Sequence, residues 1–177
     1  MVTRGGSTRP LADRIGPGLR LLMVGLNPSL HAADAGIGYV TPGNRFWPAM
    51  LEAGLITRDR DPDHALRVHR IGMTDLVARA SPRANELTVA EYRAGLEELE
   101  VKCERWPPGA VCFVGLAGWR AAVERRAVAG PQERLVGGRP AYVMPSTSGL
   151  NAATPLAQLV DHLRAAAALA DGVPTGT

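Results

Sequence analysis

Apolar residues gather in four short stretches separated by longer mixed ones. Leu19–Leu26 reads LRLLMVGL and Ala110–Leu116 reads AVCFVGL, both nearly continuous apolar runs of strand length. Such runs suit parallel strands covered on both faces, whereas half-exposed strands alternate. Ile71–Val77 (IGMTDLV) and Ala141–Ser146 (AYVMPS) are weaker strand candidates. Between these stretches the period turns helical. Asn44-Arg45-Phe46-Trp47 opens a short helix ending near Gly54. Thr88-Val89-Ala90-Glu91 has the form of a capping box, and the helix behind it puts Tyr92, Leu96, Leu99 and Cys103 on one stripe. Ala117–Val128 reads as a short helix rich in alanine and arginine. Thr154-Pro155 reads as an N-cap followed by proline at the first helical position. That last helix runs to about Ala170 and turns Leu156, Leu159, Val160 and Leu163 inward.

Strands alternating with helices predict an α/β sandwich around a mostly parallel sheet. The expected organisation is one domain over residues 19–170, with a loose lead over 1–18 and a frayed tail over 171–177. In open parallel sheets ligands bind beyond the carboxyl ends of the strands. The segments there are unusual: Gly25-Leu26-Asn27-Pro28-Ser29 after the first strand, Thr74-Asp75 at the second, Gly115-Leu116-Ala117-Gly118 after the third, and Pro145–Asn151 (PSTSGLN) after the fourth.

Composition narrows the reading only a little. A chain of 177 residues with 46% hydrophobic residues is long enough for one real core. No apolar run reaches the length of a membrane span, and the first 18 residues lack the apolar centre of a signal peptide, so a cytoplasmic, nucleoid-associated monomer is expected. The net charge of +3 permits a nucleic-acid partner without establishing one. Lys102 is the only lysine; the other basic side chains are arginine forks, which match phosphate oxygens. Lys102 falls off the apolar stripe of its helix and reads as a solvated surface residue. Two cysteines, Cys103 and Cys112, make no four-cysteine site. Of the four histidines, His64 and His69 are five apart, which does not put them on one helix face. Neither metal nor cofactor is expected.

GLNPS, a glycine-rich loop, Pro42–Trp47 (PGNRFW) and late in the chain Met144–Asn151 (MPSTSGLN) together resemble the mismatch-specific uracil-DNA and thymine-DNA glycosylases, within the uracil-DNA glycosylase superfamily. The resemblance spans about residues 19–169. It implies a three-layer α/β/α fold, double-stranded DNA as partner, and hydrolysis of the N-glycosidic bond of uracil or a related base after that base leaves the stack.

Breaking the C1′–N1 bond gives the sugar oxocarbenium character and the departing base negative charge. Asn27 matches the asparagine of the first motif, whose amide oxygen orients the attacking water; by itself it reads equally as a turn residue ending a strand. Gly25, Leu26, Pro28 and Ser29 complete the base-binding turn, where backbone N–H groups act as oxyanion-type donors. Ser29 stands where the family pattern often has glycine. Tyr39 matches the position that stacks an aromatic ring on the flipped base, or else is a partly buried loop tyrosine. Phe46 and Trp47 read as core, and Asn44 as a cap. Asp75 is either a second catalytic group that activates water or steadies the sugar cation, or a strand-end aspartate making a turn bond. Ser146, Thr147, Ser148, Gly149, Leu150 and Asn151 resemble the intercalating loop, with Leu150 as wedge and the serines on phosphate. The histidine-containing second motif of other uracil enzymes is absent. With no lysine placed to form a Schiff base, a monofunctional glycosylase is expected. A non-catalytic α/β module that binds a nucleotide or a DNA lesion is the alternative.

Overall fold

The structure, a computed structural model, describes residues 10–172. Five strands form one sheet: β1 (Leu21–Gly25), β2 (Ile71–Asp75), β3 (Ala110–Val114), β4 (Gly130–Val136) and β5 (Arg139–Met144), in the order β2-β1-β3-β5-β4. All neighbours pair in parallel except β4, which runs antiparallel to β5. Six helices pack around it: α1 (Leu30–Ala35), α2 (Phe46–Glu52), α3 (Pro62–His69), α4 (Val89–Arg105), α5 (Ala117–Ala122) and α6 (Leu156–Ala170).

The strand period of two sorts the core into two layers. Leu21 and Met23 of β1, with Ile71, Cys112 and Met144, face α2, α3 and α6 through Phe46, Trp47, Met50, Ala65, Leu159 and Leu163. Leu22 and Val24, with Val111, Phe113 and Val143, face α4 and α5 through Tyr92, Leu96, Leu99 and Trp119. The chain is therefore the three-layer α/β/α sandwich expected, and every residue of β1 and β3 is buried. Burial of each large side chain contributes roughly 1.5–3 kcal/mol, so the central strands are the rigid part of the molecule. α4 starts with a complete capping box: the Thr88 hydroxyl accepts from the Glu91 N–H, and the Glu91 carboxylate accepts from the Thr88 N–H.

Several expectations are corrected. The segment taken as a loose lead is anchored in its described part: the Arg14 N–H donates to the Met73 carbonyl at 2.8 Å and the Met73 N–H returns a bond to Arg14 at 2.9 Å. That bridge lengthens the edge of the sheet beside β2. The helix expected over Ala117–Val128 stops at Ala122, and the chain continues to β4, whose outward, mostly polar residues gave no apolar signal. Pro155, not Thr154, occupies the N-cap position with extended backbone, so the helix begins at Leu156, one residue later than expected. The tail over 173–177 lies outside the described residues. Among the described residues no helix is long and apolar enough to cross a membrane.

Candidate active site

A cleft of about 540 Å³ opens at the carboxyl ends of β1, β2 and β3. Its floor follows from strand register. Gly25 and Asp75 are partners at the ends of β1 and β2, and both lie on the face that carries Leu21, Met23, Ile71 and Met73. A Cβ added to Gly25 would lie 2.5 Å from Asp75 Oδ1 and 2.9 Å from the Tyr39 hydroxyl. Only glycine leaves room for the carboxylate and the phenol to face each other across the strand end.

Asn27 follows at once. Its amide nitrogen donates to the Arg79 carbonyl at 2.9 Å and to Ser81 Oγ at 2.8 Å. Both amide hydrogens are thus used on the loop after β2, and the Ser81 N–H bonds the Pro28 carbonyl. The amide oxygen is left as the free acceptor of a side chain lining the cleft. Pro28 is buried, which fixes the turn.

Asp75 sits in a poorly hydrated position. Burial pushes its carboxyl up to about 7; Asp13 pushes in the same direction, and Lys102 partly opposes them. Tyr39 has a left-handed φ of 60°. Its hydroxyl is buried without a hydrogen-bond partner, and burial first, then the Asp75 charge, raises its pKa well above the ordinary phenol value. One face of its ring stacks on Phe46, centroids 3.9 Å apart and planes 16° off parallel. A base can therefore use only the opposite face. Ser29 is committed to structure: its hydroxyl accepts from the Ala32 N–H as the N-cap of α1 and shares a 2.9 Å bond with Thr41. Leu26 also lines the cleft.

The loop over residues 146–151 forms the opposite rim and divides in two. Thr147 is 1% exposed; its hydroxyl donates to Asn44 Oδ1 and its carbonyl accepts from the Arg45 N–H. Asn151 turns inward to the Ser146 carbonyl, and its own carbonyl accepts from Arg45. Arg45 also donates to the Thr154 carbonyl. The two backbones touch at Gly149, where a Cβ would stand 3.0 Å from the Gly43 carbonyl oxygen. Thr147 and Asn151, placed with the DNA contacts by sequence, are braces. Asn44, expected as the cap, lies one residue before the N-cap, Arg45; its side-chain oxygen accepts from the Phe46 N–H and from the Thr147 hydroxyl. Ser146 and Ser148 hydroxyls each accept a backbone N–H within the loop, which leaves their own hydrogens to donate outward. Leu150 projects from the tip, 97% exposed.

Two sequence readings change, those of Lys102 and of the two histidines His64 and His69. Lys102 is not a free surface amine: it lies 2.7 Å from Asp13 and 3.2 Å from the Thr74 hydroxyl. Arg79 is held by Glu91 in two bonds, at 2.9 and 3.2 Å, and draws that carboxyl down to about 2. The exposed Arg83, by contrast, lines the cleft. His64 and His69 share α3 and their rings meet edge-on with centroids 5.5 Å apart. Among the described residues no group of three metal-ligating side chains is close enough to hold an ion. Arg45 was missed as a site element, although PGNR already placed a buried-loop arginine beside the asparagine cap.

The family model of the uracil DNA glycosylase superfamily matches residues 12–168. The chain belongs to that superfamily. A solution NMR structure of a candidate uracil DNA glycosylase from Methanosarcina acetivorans shares the fold with a TM-score of 0.65 at 19% identity, over 92% of this chain and 98% of that one. Membership places the protein among DNA glycosylases, repair hydrolases that act on DNA. The matched span begins at residue 12 and so takes in the strap over residues 12–15 that was taken for a loose lead.

Proposed function

We propose that the protein is a monofunctional glycosylase of the mismatch-specific uracil and thymine type, hydrolysing the N-glycosidic bond of uracil in double-stranded DNA. The observation that carries this reading is that Asn27, two residues beyond the end of β1, and Asp75, at the end of the neighbouring β2, line one cleft opposite a loop that carries an exposed leucine.

The target base leaves the stack and enters the cleft, where the free face of Tyr39 receives its ring. Leu150 fills the gap in the duplex, and the Ser146 and Ser148 hydroxyls donate to the flanking phosphates. Asn27, anchored through both amide hydrogens, presents its oxygen to the attacking water. An amide is a poor base, so its contribution is positioning. Asp75 supplies the charge: once ionised, near neutrality and above, it accepts the proton from water as the C1′–N1 bond lengthens and steadies the sugar cation. Lys102, the only lysine, is tied to Asp13 and does not line the cleft, so no amine is in place to cut the strand. The product is an abasic site in an intact strand.

The test uses end-labelled duplexes carrying U·G, U·A, T·G or C·G, incubated with the protein and then treated with hot alkali. Cleavage at U·G only after alkali is the expected result, with the other duplexes grading base and opposite-base selectivity. Absence of cleavage on every duplex, with binding retained, would replace the enzyme by a lesion-binding module.

A further inference from the structure

Behind the cleft floor lies a small charged cluster that the reaction as described does not use. The strap over residues 12–15 runs antiparallel to β2, bridged at Arg14 and Met73. Continuing that register sets Asp13 beside Thr74 and Ala12 beside Asp75. The hydrogen bonds agree: the Thr74 hydroxyl donates to Asp13 Oδ1 at 2.6 Å. From α4, across the opposite face, Lys102 reaches the same point, 2.7 Å from Asp13 Oδ2 and 3.2 Å from Thr74 Oγ1. The Thr74 hydroxyl thus accepts from the ammonium and donates to the carboxylate, with all three groups locked in one triangle. Thr74 is buried, and it is the residue next to Asp75. In a chain that elsewhere uses arginine as its basic side chain, the position holds a compact ammonium, which fits between two adjacent oxygens where a planar guanidinium does not.

We propose that Asp13 and Lys102 are positioning residues that set the charge state of Asp75 from behind β2, one opposing its ionisation and the other favouring it. The inference rests on the catalytic reading of Asp75. Asp75 is desolvated, so nearby charges act on it with little screening. Few groups stand around it: the Tyr39 hydroxyl across Gly25, and Asp13 on the strap and Lys102 on α4, both bonded to the neighbouring Thr74. Arg14 and Arg83 line the same cleft, Arg14 being paired with Asp63 of α3 at 2.9 Å. Burial brings the carboxyl near neutrality; Asp13 and Lys102 pull on it in opposite directions and are bonded to each other, so the intact pair leaves it there. A lone Asp13 would keep Asp75 protonated and idle; a lone Lys102 would hold it charged but weakly basic. The strap therefore contributes to the active site through a charge that never touches substrate.

The experiment is a carbon-detected NMR titration of side-chain carboxyls in the full chain, with the Asp75 resonance identified by its loss in Asp75→Asn. The pH profile of uracil release is measured beside it. In Asp13→Asn the Asp75 midpoint moves down by about one pH unit; in Lys102→Met it moves up by about one. The rate profile shifts with it each time. The double variant returns toward the wild-type midpoint, because both charges are gone. A midpoint unmoved in both single variants, or moved the same way in both, overturns the proposal, the second outcome being the mark of a merely structural pair. Midpoints moving as expected in a protein that releases no uracil at any pH would support the coupling while removing the glycosylase reading.

Discussion

The two walls of the cleft are built on different principles. The strand-end wall carries Asn27 just past β1 and Asp75 at the end of β2, at the mouth of buried parallel strands, and Asn27 is fixed by two short bonds to the loop after β2. The loop wall is held only at its base, by Asn44 and Arg45, and then releases Leu150 almost wholly into solvent. The first wall provides placement to a fraction of an ångström, as a bond-breaking step requires. The second provides reach, as a wedge entering a duplex requires. Substitutions on the strand-end wall should therefore change the rate of base release with DNA affinity kept, and those at the loop tip should change the flipped population with the fold untouched.

The sharpest break is expected at Asn27. Asn27→Ala removes the oxygen that orients water and should slow uracil release by about 100- to 1000-fold. Duplex affinity, read by fluorescence anisotropy, should stay within a few-fold. Unchanged single-turnover kinetics would return Asn27 to the role of a strand-ending turn.

Asp75 comes next, and it separates rate from stability. Asp75→Asn should cost about 100-fold in rate at pH 8. The wild-type rate should climb as pH rises through about 7, and the variant should show no such rise. Stability should move the other way. The folded carboxyl holds its proton up to about 7, against 3.8 for an unperturbed one. The stabilisation from that proton is complete below about pH 4 and lost by the time pH passes 7, so above neutrality the charged group is a burden on the fold. Asp75→Asn should then be more stable than the wild type at pH 8, on the order of 1–3 kcal/mol, with the gain vanishing near pH 4. Denaturant melts at the two pH values decide it, and equal effects at both would mean that Asp75 is not desolvated.

On the loop wall the expected effect is smaller and of another kind. Leu150→Ala should reduce release from a U·G duplex by about tenfold, the equivalent of ~1.4 kcal/mol, and leave release from a single-stranded substrate nearly unchanged. Thermal stability should not move, because the side chain packs against nothing. A tenfold loss on both substrates would argue that Leu150 contributes to the pocket and not to a gap in the duplex.

How much of this the sequence disclosed differs between the walls for the same physical reason. Strands buried on both faces leave continuous apolar runs, so β1 and β3 were plain, and with them the turn after β1 that holds Asn27, whereas β2, which ends in Asp75, was a weaker candidate. Elements whose partners lie far along the chain left no local mark. β4 is a polar edge strand recognised only by its pairing with β5. The strap over residues 12–15 is defined by a bridge to Met73, and with no apolar run around it the segment read as a loose lead. Lys102 looked solvated because helical spacing shows which face a residue leaves, not what a long side chain reaches. α3 was legible and passed over: Asp61 caps it and Pro62 opens it, an ordinary helix start.

The smallest effect tests whether a motif position can be read by its neighbours alone. Ser29 falls inside the base-binding turn by motif, yet its hydroxyl is occupied as the cap of α1 and by Thr41. Ser29→Ala should cost about 1 kcal/mol of stability through the lost cap and leave the rate of uracil release within about twofold. The Thr41 bond adds a second check, since Thr41→Val breaks the same tie without touching the cap and should cost less. A rate loss in Ser29→Ala well beyond twofold, at a pH where Asp75 is fully charged, would move the hydroxyl from the frame of α1 into contact with the base. The boundary between the two walls would then run through α1 and not beside it.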